Sequence, residues 1–415
     1  MTTGYYTRTR CRMCDGSDLL RVMSLTPTPP GNNFLRKDEL GRPEPCYPLD
    51  LNLCSNCNHV QLGHVVDPKI LYQNNYPYVS ATSAQFVKHL QEYATAMVER
   101  FVLKPGDLVS DIGSNDGTCL RFFKQHGMNV IGVDPAVPIA QAATKAGIET
   151  VGDFFSYSLA RELKQKYGPA TLITSHNACA HIDQLEDVVR GVSHWLKEDG
   201  VFILEVGYLV DVYSNLWFDT IYHEHLDYHT VGPFEKLFGR TGMELLSVQR
   251  VSPQGGSIRV MSQKVGGPFK RDYSVDELIK LETKLELNKP ATFGKFIKRI
   301  NRVGEELRAL LQSLKSSNKS IVAYGATTKG TTLLSQFGVG REALGFIVDD
   351  NPLKQGLYSP SLHIPVLATE EIYRQRPDFI LILAWNFAAP IMSMHRRYTD
   401  QGGKFILPMP EPKIV

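Results

Sequence analysis

The chain carries almost no net charge. It has 45 Lys and Arg against 43 Asp and Glu, a formal +2, and no long basic run. That excludes the general phosphate attraction of a nucleic-acid binder. No apolar stretch approaches the ~20 residues that a membrane-spanning helix requires. The opening Met-Thr-Thr-Gly-Tyr-Tyr-Thr-Arg also lacks an apolar segment of signal-peptide type. The expectation is a cytoplasmic protein that binds neither nucleic acid nor membrane. Three short motifs are missing too. No strand is followed by G-x-G-x-x-G, which argues against a dinucleotide cofactor. There is no Walker sequence and no H-E-x-x-H of a zinc hydrolase.

What is present fits a soluble globular chain with ample core. Its 415 residues suggest two or three domains, with 43% apolar and 21% charged residues. The seven cysteines are an odd number, and four of them form two C-x-x-C pairs, Cys11-Arg-Met-Cys14 and Cys54-Ser-Asn-Cys57. Each pair can place two thiolates on one ion, and four thiolates close a tetrahedral zinc site with no open position for water. The predicted role is structural, stapling a segment whose turn-rich Thr26-Pro-Thr-Pro-Pro-Gly-Asn-Asn could not build a large core. His59 and His64 lie close enough in sequence to compete as ligands. Cys46, Cys119 and Cys179 are expected to be small buried hydrophobes.

The chain is organised around Leu108–Gly117. An apolar run ends at Asp111, followed by a turn with Gly113, Asn115 and Gly117, then a helical pattern. A buried parallel strand that presents its C-terminal end to a ligand reads this way. About twenty residues on, Asn129-Val-Ile-Gly-Val-Asp134 is a second strand ending in an acid, placed to meet ribose hydroxyls. Acids at the turn would repel a pyrophosphate and suit a cationic ligand such as S-adenosylmethionine. Further strands are expected at Thr150–Phe155, Ala170–Asn177 and Val201–Gly207, separated by helices, with a closing hairpin of Leu245–Arg250 and Ser257–Gln263. Ligands in such a doubly wound sheet sit at the C-terminal strand ends. Asp153, Phe154, His176 and Asn177 join the cofactor candidates, with Asp153 facing the adenine amino group and Phe154 stacking on its ring. His181 follows at the start of the next helix, either structural or in contact with substrate. The aromatic stretch Leu71–Ser80 is read as a lid or a packed linker, with Tyr76 toward the cofactor and Tyr78 and Ser80 toward the substrate.

Residues 218–229 hold three histidines, three acids and two tyrosines. Histidine near neutrality suits proton abstraction beside a carbonyl, and a tyrosine hydroxyl can stabilise the resulting enolate. The same groups could instead bind a divalent ion. A long amphipathic helix is predicted from Asn288-Lys-Pro-Ala to about Ser316, with Phe293, Phe296, Ile297, Ile300, Val303, Leu307, Leu310, Leu311 and Leu314 on one face. Then Ser320-Ile-Val-Ala-Tyr324-Gly-Ala-Thr327-Thr328-Lys329-Gly is a strand, a small-residue turn and a helix start. Tyr324, Thr327, Thr328 and Lys329 are candidates for holding substrate phosphates. Strands at Gly345–Asn351 and Asp378–Asn386 complete a second, smaller α/β sheet.

The five parallel strands with a closing hairpin resemble the class I methyltransferase fold. The two C-x-x-C pairs, the Asp-Ile-Gly-Ser-Asn-Asp-Gly turn, Tyr-His-Glu-His and Gly-Ala-Thr-Thr-Lys-Gly together resemble the sugar C-methyltransferase family, over essentially the whole chain. Its best-known members are the 3-C-methyltransferases of antibiotic sugar pathways, which act on nucleotide-linked keto-deoxysugars. The resemblance implies a zinc-binding N-terminal domain, a methyltransferase core and a C-terminal Rossmann-like domain, placed here at 1–75, 76–270 and 319–415 with a helical linker at 271–318. It matches His225 to the family's general base, with Tyr222 and Glu224 assisting. It implies S-adenosylmethionine and structural zinc, and a nucleotide-sugar substrate, expected to be dTDP-linked and methylated at C-3 beside the 4-keto group. A monomer or weak oligomer is expected. Two alternatives stand beside this: O- or N-methylation of a small molecule, and a non-enzymatic nucleotide-binding zinc scaffold.

Overall fold

The computed structural model describes residues 4–72, 80–252 and 255–415. Its centre is a seven-stranded sheet: β1 (Leu108–Ile112), β2 (Asn129–Val133), β3 (Thr150–Val151), β4 (Ala170–His176), β5 (Leu196–Gly207), β6 (Met243–Val251) and β7 (Ser257–Lys264). The strand order is β3-β2-β1-β4-β5-β7-β6. The first five run parallel, and β6 and β7 form the antiparallel hairpin at one edge. Both faces of the sheet are covered, so its strands are continuously apolar and alternate residues feed different cores. Val109, Leu172, Val201 and Ile203 face a cluster with the helices Ala84–Arg100 and Thr118–Gln125. Leu108, Ile112, Ile173, Phe202 and Leu204 face the other side, with Tyr157–Tyr167 and Leu185–Trp195.

The third strand is shorter than the sequence suggests. It stops at Val151, and Asp153 turns its amide back onto the Val151 carbonyl, 3.1 Å away. Phe155 then leaves the sheet edge to stack on Trp195, with centroids 6.2 Å apart. Burying that ring between two helices outweighs continuing an edge strand.

The N-terminal sheet has the strands Leu19–Thr28, Tyr47–Cys54 and Val60–Leu62, all antiparallel. Its fourth strand, Asp227–Tyr228, comes from the far end of the central domain. The sheet therefore draws on residues well outside 1–75. Cys119 and Cys179 are buried as expected, but Cys46 is exposed. It precedes the first inward-facing residue of its strand, Tyr47, and its thiol turns to the Glu44 carbonyl at 3.8 Å.

The C-terminal sheet is parallel over Val366–Ala368, Ile347–Asp349, Ile321–Tyr324, Phe379–Ile382 and Lys404–Leu407, with an antiparallel edge at Lys413–Ile414. The long helix spans Pro290–Ser316, starting on a proline whose missing N–H costs nothing in the first turn. Phe293, Phe296, Ile300, Val303, Leu307 and Leu311 are buried, in one continuous core with the N-terminal sheet and the C-terminal domain. Gly304 lets Phe337 lie on the helix; a Cβ there would sit 2.6 Å from that ring. Gly304→Val is expected to destabilise the protein by about 1–3 kcal/mol through overpacking, despite the poor helix propensity of glycine. Denaturant unfolding of the variant against the parent measures it, and an unchanged midpoint would contradict this packing.

Candidate active site

The four paired cysteines are all buried, and their sulfurs lie within 4.8 Å of one another. Cys11 and Cys57 are 3.6 Å apart, as are Cys14 and Cys54. The two pairs have the same turn: Asp15 N–H bonds to Cys11 O and Asn58 N–H to Cys54 O, with Asp15 and Asn58 at left-handed φ of 58° and 63°. The Asn56 amide donates to Cys14 Sγ at 3.2 Å, an outer-shell bond of the kind that steadies a thiolate ligand. The donor set fits zinc. His59 and His64 are committed elsewhere, to Asp227 at 2.6 Å and Asp50 at 3.2 Å.

At the C-terminal ends of the central strands lies a cavity of about 1340 Å³. Its cofactor side is built by the turn after β1. Gly113 has φ 76°, and a Cβ on it would fall 2.4 Å from Ala178. Asn115, also left-handed at φ 51°, gives its N–H to Asp134 Oδ2 at 2.8 Å and accepts the Ser80 N–H at 2.9 Å. Asp134 Oδ1 accepts the Ala136 N–H at 2.9 Å. The second acid thus locks the glycine turn as well as facing the cavity. Asp111 is buried, its carboxyl pushed up by desolvation and drawn back by His176, 4.0 Å away. Asp111 Oδ1 and both ring nitrogens of His176 have no hydrogen-bond partner among the described residues. Orphaned polar atoms at the end of a ligand-binding sheet fit a polar, cationic cofactor.

Of the other cofactor candidates, Phe154 and Asn177 line the cavity. Asp153 does not; it is exposed, and its carboxylate accepts the Phe154 N–H at 2.7 Å. Tyr76 and Tyr78 lie outside the described residues. Ser80 and His181 are in the wall.

Opposite stands the segment Tyr222–His225. His225 Nδ1 is 2.9 Å from the Thr220 carbonyl, which can only accept, so Nδ1 carries the proton. Nε2 is then an acceptor, and the Tyr222 hydroxyl donates to it at 2.8 Å. Burial holds the His225 ring well below the usual histidine range, and the neighbouring His181 ring, edge-on at 4.9 Å, is lowered to about 4 by burial. Both therefore stay neutral near pH 7. Glu224 also faces the cavity. Burial pushes it up to about 7, against a hydrogen bond from Asn32 at 3.1 Å and the charge of Lys354.

The C-terminal domain closes the cavity with Thr327, Thr328, Lys329 and Lys354. Lys329 is partly buried, 5.7 Å from the Trp385 ring, with its pKa lowered by desolvation and supported by Asp219. The Thr327 hydroxyl caps its helix by accepting the Gly330 N–H at 2.9 Å, which leaves its own proton to donate. Tyr324 is absent from the wall; its hydroxyl donates to Asp350 at 2.6 Å. Asn32 and Lys354 escaped the sequence reading. Lys354 lies just past the acids that end a strand, and a look beyond Asp350 would have found it. Asn32 sits in a turn that carries no chemical signature.

A seven-stranded sheet of this order, with a large cavity at the C-terminal ends of its parallel strands, is that of the class I methyltransferase fold. The comparisons agree. Residues 11–72 match a zinc binding domain family, 86–248 a methyltransferase domain and 252–410 the C-methyltransferase C-terminal domain. The chain is 35% identical over 405 residues to C-methyltransferase NovU of Streptomyces niveus, covering 98% of this chain and 96% of that one. It belongs to the S-adenosylmethionine-dependent C-methyltransferase family, with a zinc-binding N-terminal domain. Among solved structures it is similar to YcgJ of Bacillus subtilis (14% identity, 44% of this chain and 99% of that one, TM-score 0.32). It is likewise similar to the S-adenosylmethionine complex of magnesium protoporphyrin IX methyltransferase from Synechocystis PCC 6803 (15%, 43% and 81%, TM-score 0.33). Among the described residues no helix is long and apolar enough to cross a membrane.

The raised Glu224 pKa has a consequence for stability. The folded state keeps a proton that the unfolded chain releases near 4.5. Stability from this group is full below that value and is lost as pH rises toward about 7. Glu224→Gln should match the parent near pH 4 and exceed it at pH 8, by at most roughly 3 kcal/mol. Unfolding at the two pH values tests this; the same difference at both would mean that Glu224 is ionised when folded.

Proposed function

We propose that the protein methylates the carbon beside the keto group of a nucleotide-linked deoxysugar, with Tyr222 and His225 as its acid–base pair. The observation that carries this is the Tyr222 hydroxyl held 2.8 Å from an unprotonated His225 Nε2, on the wall facing the cofactor turn. A C–H bond beside a carbonyl is acidic enough for a positioned neutral base, and that is the one proton a C-methylation must remove. The resemblance to sugar C-methyltransferases supplies the substrate class. The cavity supports it, because about 1340 Å³ exceeds what one drug-sized ligand fills and leaves room for a cofactor beside a nucleotide sugar.

The bound S-adenosylmethionine supplies an activated methyl group on a sulfonium. The chain's part is to position and deprotonate. Thr220 fixes the His225 tautomer, so Nε2 is free to take a proton. Tyr222 passes its hydroxyl proton to Nε2 as its oxygen takes the proton from the sugar carbon. Glu224, protonated at and below about pH 7, donates a hydrogen bond to the keto oxygen as charge builds there. Lys329 and Lys354 present positive charge to the diphosphate. The nucleotide is assigned as dTDP and the methylated carbon as C-3. The domain limits 1–75, 76–270 and 319–415, joined by 271–318, are kept as the functional division.

His225→Gln and Tyr222→Phe should each lower kcat by ~10²-fold or more, with the KM for a dTDP-linked 4-keto-deoxysugar little changed. Exchange of the sugar carbon's proton with D2O, run without methyl donor, should fall by the same factors. Unimpaired exchange in His225→Gln would remove the base assignment. Turnover with a panel of 4-keto sugar nucleotides, read by mass spectrometry, tests the substrate class.

A further inference from the structure

Arg12 lies inside the first C-x-x-C pair, yet its guanidinium points away from the sulfurs and is 2% exposed. Its Nε donates to Asp183 Oδ1 at 2.9 Å. Its Nη1 donates to the Leu62 and Leu226 carbonyls at 3.0 and 3.3 Å and lies 3.9 Å from Asp227. Asp183 is two residues after His181, and Leu226 follows His225. The two histidine segments also touch directly, through the Leu226 N–H to the Ala180 carbonyl at 2.7 Å. One planar cation therefore clamps both histidine segments to the rim of the metal site.

We propose that Arg12 is a positioning residue for methyl transfer, setting the spacing of His181 and His225 from within the zinc-binding knuckle. Burying a guanidinium is costly, and its removal would leave Asp183 with Arg8, 2.9 Å away, and Asp227 with His59. Stability alone would be met as well by apolar packing at this position. The fork geometry does something packing cannot: it fixes two acceptors on separate segments at set distances and angles. The two rings it governs stand edge to face, 4.9 Å apart, and one of them carries the Tyr222 bond. The proposal rests on the reading of His225 as base, and a displacement of ~1 Å at such a group can cost ~10²-fold in rate.

The test is Arg12→Lys in the full-length zinc-loaded enzyme, with Asp183→Asn as a variant outside the knuckle. Three quantities are compared with the parent: zinc content, the dissociation constant for S-adenosylmethionine, and kcat and KM for a dTDP-linked 4-keto-deoxysugar. The expected result is unchanged zinc and cofactor binding, a KM within about twofold, and a kcat lowered by ~30-fold in Arg12→Lys and ~10-fold in Asp183→Asn. The double variant should be no slower than Arg12→Lys, since both break one clamp. In ¹⁵N-imidazole spectra the parent should show His225 as the single Nδ1–H tautomer and Arg12→Lys a mixture, a signature that a purely structural role would not move. A fully metallated Arg12→Lys with parental kcat and a single tautomer overturns the proposal. If Arg12→Lys loses zinc, Asp183→Asn decides: lowered kcat at constant KM sustains the clamp, and parental kcat overturns it. Failure of the base reading looks different, as unimpaired proton exchange in His225→Gln while Arg12→Lys still disturbs the His225 tautomer.

Discussion

The two-residue strand Asp227–Tyr228, paired with Val60–Leu62, is the joint on which the site depends. It attaches the end of the Tyr-His-Glu-His segment to a sheet whose far turn carries two of the zinc ligands. A pairing so short has little strength of its own. It is held by side chains: Asp227 between His59 and Arg12, His223 against the Tyr47 carbonyl at 3.1 Å, and Arg12 across both histidine segments. A loop with this many polar groups could adopt many conformations in water. Buried against the knuckle, His223, His225 and Asp227 each find a partner, to the Tyr47 carbonyl, the Thr220 carbonyl and His59. The zinc-binding domain thus braces the Tyr222–His225 segment.

Burial then sets the protonation states on which the chemistry relies. His225 and His181 are kept neutral, Glu224 is lifted to about 7, and Lys329 is lowered by desolvation. Each shift disfavours the charged form, as a low-dielectric cavity must. The same cavity strengthens whatever charge a bound substrate and cofactor bring in. Asp111 and His176 are left with unused hydrogen-bonding atoms on the cofactor side, while on the opposite wall His225 and Glu224 are already engaged.

Much of this was legible in the chain. The Asp111–Gly117 turn, Asp134 and the doubled cysteine pairs are local features, and their roles follow from residue type at fixed spacing. The sheet order follows from the alternation of strands and helices. The errors were also local in origin. Asp153 and Tyr324 sit at plausible positions, but each has a nearer partner, the Phe154 amide and Asp350. Cys46 was assigned to the core one residue before the core begins.

The sequence by itself determined the class I core, the metal ligands and the presence of an acid–base cluster, because each is written in residues adjacent or periodic along the chain. The tertiary structure alone decided which groups meet. Arg12 and Leu226 are 214 positions apart, and Asn32 and Glu224 are 192 apart. No local pattern encodes those contacts; they arise when one continuous hydrophobic core folds the N-terminal sheet and the C-terminal domain onto the strand ends. The tautomer of His225 was decided there too, since it depends on the Thr220 carbonyl being brought to Nδ1 by the fold of the turn.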